Sequence, residues 1–102
     1  MPREVWQHWR SDIHFVPAGG ESSAALSSRV WGALDDLAAA ADGRTIAVVS
    51  HVSPIKAAVA WALGAPVELS WRTHLDQASI SRIALGPNGA VLHSFNETCH
   101  LA

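Results

Sequence analysis

The chain has 102 residues, 49% of them hydrophobic, and a formal net charge of −2. That is enough for one small domain, burying roughly 60–65% of the surface its unfolded form exposes. Its seven Lys and Arg are scattered, which excludes the clustered basic face of a nucleic-acid binder. The lone Cys99 excludes an internal disulfide and fits a reducing compartment.

The opening "MPREVWQHWR" lacks the apolar core of a signal peptide. Val5, Trp6 and Trp9 would share one face of a short helix there. "SDIHFVPAGGE" reads as a loop punctuated by Pro17, Gly19 and Gly20, with Ser22 or Ser23 capping the next helix. Leu26, Val30, Ala33, Leu34, Leu37 and Ala41 then recur at helical intervals until Asp42-Gly43 ends the run. "TIAVVS" (45–50) is nearly continuous and β-branched, the pattern of a strand buried on both faces of a parallel sheet.

A second helix follows at once. Pro54 suits its first position and Ser53 its cap, while Gly64 and Pro66 stop it. Its longest apolar stretch, residues 57–63, falls far short of the ~20 residues that a membrane span needs. "VELSWRTHLDQ" is a connector with a helical turn. "SISRIAL" (79–85) and "AVLHSF" (90–95), separated by "PNG" (87–89), form a hairpin. The order of elements predicts an α/β layered fold, and the expected setting is cytoplasmic, with no membrane partner.

The junction at Ser50-His51 raises the chemical question. Open α/β sheets bind ligands outside the carboxyl ends of their strands. The first turn of the following helix offers unpaired N–H groups and the positive end of a dipole, a seat for phosphate. His51 stands on its lip. Protonated, it would donate to a phosphoryl oxygen; on local pattern alone, a ring that merely caps the strand is an equal reading.

Five blocks in order decide between these readings: "GGES" (19–22), Arg29, "TIAVVSHVSPIKAAVAWALG" (45–64), "LDQASISRI" (75–83) and "SFNETCHL" (94–101). Together they resemble the carboxyl-terminal half of the histidine phosphatase, or phosphoglycerate-mutase-like, superfamily. The α-ribazole-phosphatase-like branch is the most similar. The resemblance implies a partial phosphoglycerate-mutase-like fold: helices packed on a mostly parallel sheet with a carboxyl-terminal hairpin, lacking the amino-terminal strands. Residues 1–20 would be a lid or connector and 21–102 the α/β core, together making one domain over 1–102.

The resemblance also implies phosphoryl transfer through a phosphohistidine, without a cofactor, on a phosphorylated small molecule. His51 matches the family's second pocket histidine. Ser50 and the backbone of Val52 would line the phosphate seat, with Glu21 and Ser22 as further contacts. The structural readings are favoured for both: Glu21 as an ion-pair partner of Arg29 or a cap contact, and Ser22 as a helix cap. Val52 stands where the family usually has glycine, so the backbone there must be conventional.

The family's nucleophile belongs to an "RHG" motif that these 102 residues do not contain; "WRTHL" (71–75) has the wrong spacing. The chain alone is therefore expected to be inactive. Its expected partner is the missing amino-terminal half or a second copy covering the edge at 46–50. A non-catalytic phosphate- or partner-binding module is the alternative, with a phosphoglycerate-type mutase behind it.

The remaining residues fit blander roles. His93, Cys99 and His100 match no common zinc spacing, so no metal is expected. Trp6, Trp9 and His14 lie in the segment that roofs the pocket in relatives, where they would form either an apolar leaving-group site or lid packing. Lys56 would reach a phosphate or lie on a solvated helix face.

Overall fold

Ser22 fixes where the longest helix begins. Its Oγ accepts from the Ala25 N–H at 3.1 Å, satisfying one of the donors that a helix start leaves unpaired. The structure, a computed structural model, describes residues 2–101. Helix α1 runs Arg3–Ser11, α2 Ser23–Ala41 and α3 Val52–Leu63, followed by a 3-10 segment at Val67–Arg72. Strands β1 (Ile80–Gly86) and β2 (Gly89–Glu97) pair antiparallel, and a 3-10 turn at Cys99–Leu101 completes the mixed α/β fold.

Helix α3 is the centre of the packing. Ala57, Val59, Ala60 and Ala62 are buried on it, joined by Val67 and Leu75. Alanines let neighbouring backbones approach closely, and two indoles exploit this. Trp31 Nε1 of α2 donates to the Ala57 carbonyl at 2.8 Å, and Trp61 Nε1 of α3 donates to Asp35 Oδ1 at 2.9 Å. The core-facing side of α2 differs from the expected stripe. Ser23 and Ser27 are its buried residues, whereas Ala33 is exposed.

Two further expectations need correction. Helix α3 starts at Val52, so His51 is its cap residue and Pro54 its third residue, not its first. Proline is tolerated there because the first four N–H groups of a helix have no intrahelical partner anyway. The first helical bond is Ile55 N–H to the His51 carbonyl, at 3.1 Å. The left-handed Gly64 (φ 62) ends the helix as expected.

The second correction concerns residues 45–50, which are neither paired into a strand nor buried. Ile46, Val48 and Val49 are 43%, 61% and 95% exposed. A β-branched run forms a strand buried on both faces only when neighbouring strands pair its edges and other elements, such as helices, cover its faces. Among the described residues the only sheet is the hairpin β1–β2, which pairs with itself. The apolar face of 45–50 is left to solvent.

The hairpin has Ile83 opposite Leu92 and Gly86 opposite Gly89, with irregular register between Ile80 and Ile83. Arg82 Nε bonds Glu97 Oε2 at 2.8 Å, and Ser94 Oγ donates to the same carboxylate oxygen. His100 Nε2 lies 2.7 Å from the Ala78 carbonyl, which ties the tail to the connector ahead of β1.

Candidate active site

His51 closes the exposed segment 45–50 and opens α3. Its backbone is extended (φ −138, ψ −179), its side chain makes no capping hydrogen bond, and the residue is exposed. Residues that cap helices normally accept from the first turn; an imidazole that does not do so leaves those N–H groups for another acceptor. Pro54 removes one donor from the turn, which leaves the N–H groups of Val52 and Ser53 as the first-turn donors beside His51. Val52 is the first residue of α3, a conventional backbone conformation that avoids the positive φ disfavoured for a β-branched side chain.

A groove of about 310 Å³ begins one residue beyond His51. Val52, Ser53 and Lys56 of α3 form one wall. Trp6, Trp9 and Arg10 of α1 form the roof, and Ser70, Trp71 and Thr73 close the far side. The roof is fixed by aromatic contacts. Trp9 meets Trp71 edge-on with ring centroids 5.0 Å apart, and Trp9 Nε1 donates to the Glu21 carbonyl at 3.1 Å. Within the segment expected as a lid or connector, residues 3–11 are helical and Trp9 ties them to Trp71 and Glu21, while His14 lies outside the groove.

Lys56 is half-buried and its ammonium is largely engaged. Nζ donates to the Ser70 carbonyl at 3.0 Å and the Thr73 carbonyl at 2.5 Å. Burial, and then the charge of Arg10, hold its pKa below the ordinary lysine value. Neither a free phosphate ligand nor a solvated face describes it: it anchors the 3-10 segment to α3.

The expected site residues fall into two groups. Ser50, His51 and Val52 are contiguous and exposed at the mouth of α3. Glu21 and Ser22 lie at the start of α2. The Glu21 carboxylate is gripped by Arg29, at 2.6 Å from Oε1 to the guanidinium and 3.4 Å from Oε2 to Nε. The hydrogen bond from Arg29 holds the Glu21 carboxyl below the usual range. Ser22 Oγ is used as the cap of α2. Trp9 joins the two groups physically, bonded to the Glu21 backbone and lining the groove beside Val52.

Arg10 and Trp71 were not singled out from the sequence. The guanidinium of Arg10 sits 5.4 Å from the Trp6 ring centre and 5.8 Å from that of Trp71. The spacing of Trp6 and Arg10, one helical turn apart, was the only available sign of half of this arrangement. Among the described residues, no three His, Cys, Asp or Glu side chains gather as metal ligands would.

Comparison with known proteins places this geometry in context. The sequence model of the histidine phosphatase superfamily (branch 1) matches residues 1–98. A bifunctional protein of Mycobacterium tuberculosis is 38% identical over 87 residues, covering 85% of this chain and 24% of that protein. Phosphoserine phosphatase 1 of Hydrogenobacter thermophilus is 34% identical over 99 residues, or 96% of this chain and 47% of the relative. Among solved structures, a histidine-to-alanine mutant of phosphoserine phosphatase from Entamoeba histolytica, in complex with phosphoserine, superposes with a TM-score of 0.81 at 27% identity. That match covers 96% of this chain and 51% of the other. The chain thus spans between a quarter and a half of the length of these relatives.

Proposed function

This chain belongs to the histidine phosphatase superfamily, and we propose that it supplies one wall of a site that hydrolyses a phosphorylated small molecule. In this reading His51 is the second pocket histidine. A histidine on the "RHG"-bearing half, not represented in these 102 residues, attacks phosphorus. The bond from phosphorus to the leaving oxygen breaks, a carboxylic acid of that other half protonates the leaving oxygen, and water later releases phosphate from the phosphohistidine.

His51 donates to the phosphoryl oxygens while charge builds on them. The N–H groups of Val52 and Ser53 and the positive end of α3 act on the same oxygens. Donors preorganised in this way commonly contribute a factor of ~10²–10³ in rate. The observation that carries the reading is the exposed, uncapped imidazole at the start of α3, in a chain matched to the family over residues 1–98. Hydrolysis is preferred to mutase chemistry because both named phosphoserine relatives are phosphatases. The α-ribazole-like reading of the branch rests on the sequence around Ser50–Lys56 alone.

The apolar run at 45–50 supports the partner reading. An unpaired β-branched segment recruits a strand from elsewhere, and the relatives carry a further half that this chain does not include. That half is the expected partner, with a second copy of the chain as its substitute when the half is missing. The test is turnover of p-nitrophenyl phosphate. The chain alone should give none; fusion to an "RHG"-bearing amino-terminal half should give turnover that His51→Ala lowers at least a hundredfold. Activity of the chain alone that His51→Ala abolishes would overturn the division of roles. If the fusion stays inactive while the chain binds phosphate, the module reading holds instead.

A further inference from the structure

We infer that one water molecule is bound inside the protein, between α2, the start of α3 and the 3-10 segment, and that Ser23, Ser27 and Trp71 hold it. The water ties the Trp71 indole, which forms part of the groove wall, to α2. This site is a property of the chain by itself and does not depend on the phosphatase reading.

Polar atoms without partners point to it. Buried hydroxyl and indole groups are normally hydrogen-bonded. Trp9, Trp31 and Trp61 follow that rule, each donating its indole N–H to a protein oxygen. Trp71 does not: its Nε1 is shielded from solvent, and among the described residues no group accepts from it. Ser23 Oγ and Ser27 Oγ are unpaired in the same way, on residues only 3% and 2% exposed. Inside a helix a serine can return its hydroxyl to the carbonyl four residues back; Ser27 does not.

The three residues converge on one place. Ser23 and Ser27, four apart on α2, share a helix face, and with Trp71 they line a cavity of about 10 Å³. That is room for one water and for no larger ligand. Ser53, Ser70 and Trp9 line it as well, and no Asp, Glu, Lys, Arg or His does. Nothing there balances an ion, so the ligand is neutral. Water matches the groups present. It accepts from the Trp71 N–H, donates to one serine oxygen, and donates to or accepts from the other, since a hydroxyl can do either. Three partners is the usual number for a buried water.

Trp71 lines both this cavity and the larger groove. Its other contacts, with the Trp9 ring and the Arg10 guanidinium, involve the ring and leave Nε1 unpaired. The water adds a directional tie from Nε1 to α2, which keeps the far side of the groove in place relative to that helix.

Oxygen-17 relaxation dispersion registers only water held longer than the protein takes to tumble, and it counts such sites in the 102-residue chain. The parent should show long-lived water. Ser27→Val, which puts methyl groups into the cavity, should lower the amplitude by one water. The double variant Ser23→Ala/Ser27→Ala removes two of the three partners without adding bulk and should do the same, so whichever variant folds serves. In either, the indole proton signal of Trp71, assigned by its loss in Trp71→Phe, should shift while those of Trp9, Trp31 and Trp61 stay. A parent without long-lived water, equal dispersion in parent and variant, or a Trp71 signal that does not move would overturn the inference. So would a crystal structure of the parent in which Trp71 Nε1 bonds a serine oxygen directly.

Discussion

The Lys56 ammonium holds the Thr73 carbonyl at 2.5 Å, linking the first turns of α3 to the chain beyond the 3-10 segment. The same nitrogen also bonds the Ser70 carbonyl, so one side chain sets the distance between two walls of the groove. Lys56→Met removes both bonds and keeps the aliphatic stem. It is expected to cost about 1.5–2 kcal/mol, the lower part of the range for hydrogen bonds to a charged group, because the site is only half-buried. Urea unfolding of the two proteins measures it; an unchanged midpoint would mean that residues 67–73 hold their place without this anchor.

Acid should destabilise the chain through three carboxylates. Hydrogen bonds from Arg29 to Glu21, from His74 and Asn96 to Asp76, and from Ser94 and Arg82 to Glu97 hold each carboxyl below its ordinary pKa. The folded state therefore binds these protons less readily than the unfolded chain does. Their contribution is complete above the unperturbed value, 4.5 for glutamate, and is lost as pH falls through the lowered values. Denaturant midpoints measured between pH 7 and pH 3 should fall only at the acidic end, with a shallower fall in Glu97→Gln. A midpoint that drops between pH 7 and pH 5 would point to histidines instead.

The exposed run at 45–50 should govern association. Val48 and Val49, 61% and 95% exposed, offer apolar side chains on a backbone that no strand covers. Light scattering of the chain alone is expected to show a dimer or larger species at high concentration. Val48→Lys should shift it towards monomer, because charge on an open edge opposes strand pairing. A parent chain that stays monomeric and melts cooperatively would show that this segment needs no cover.

What the sequence revealed was mainly local. Ser22 as a cap, Asp42-Gly43 and Gly64 as helix ends, and the turn at 87–89 all depend on neighbours within one turn of chain. The start of α3 was misplaced because proline is tolerated throughout a first turn, so Pro54 alone could not distinguish the first position from the third. Burial of 45–50 was misread for a different reason: a β-branched run reports a preference, and only distant strands can satisfy it. His51 was found because its strand-like and helix-like flanks are adjacent in sequence. The groove was not, because Arg10 on α1 and Trp71 beyond α3 meet only in the folded chain.

The most direct measurement concerns the imidazole itself. Inorganic phosphate titrated into the chain, followed through the ring proton signals of all six histidines, should move His51 saturably at one phosphate per chain. Equal drift of all six rings, or a His51 signal that stays still while another histidine saturates, would contradict the placement of the phosphoryl group at the mouth of α3.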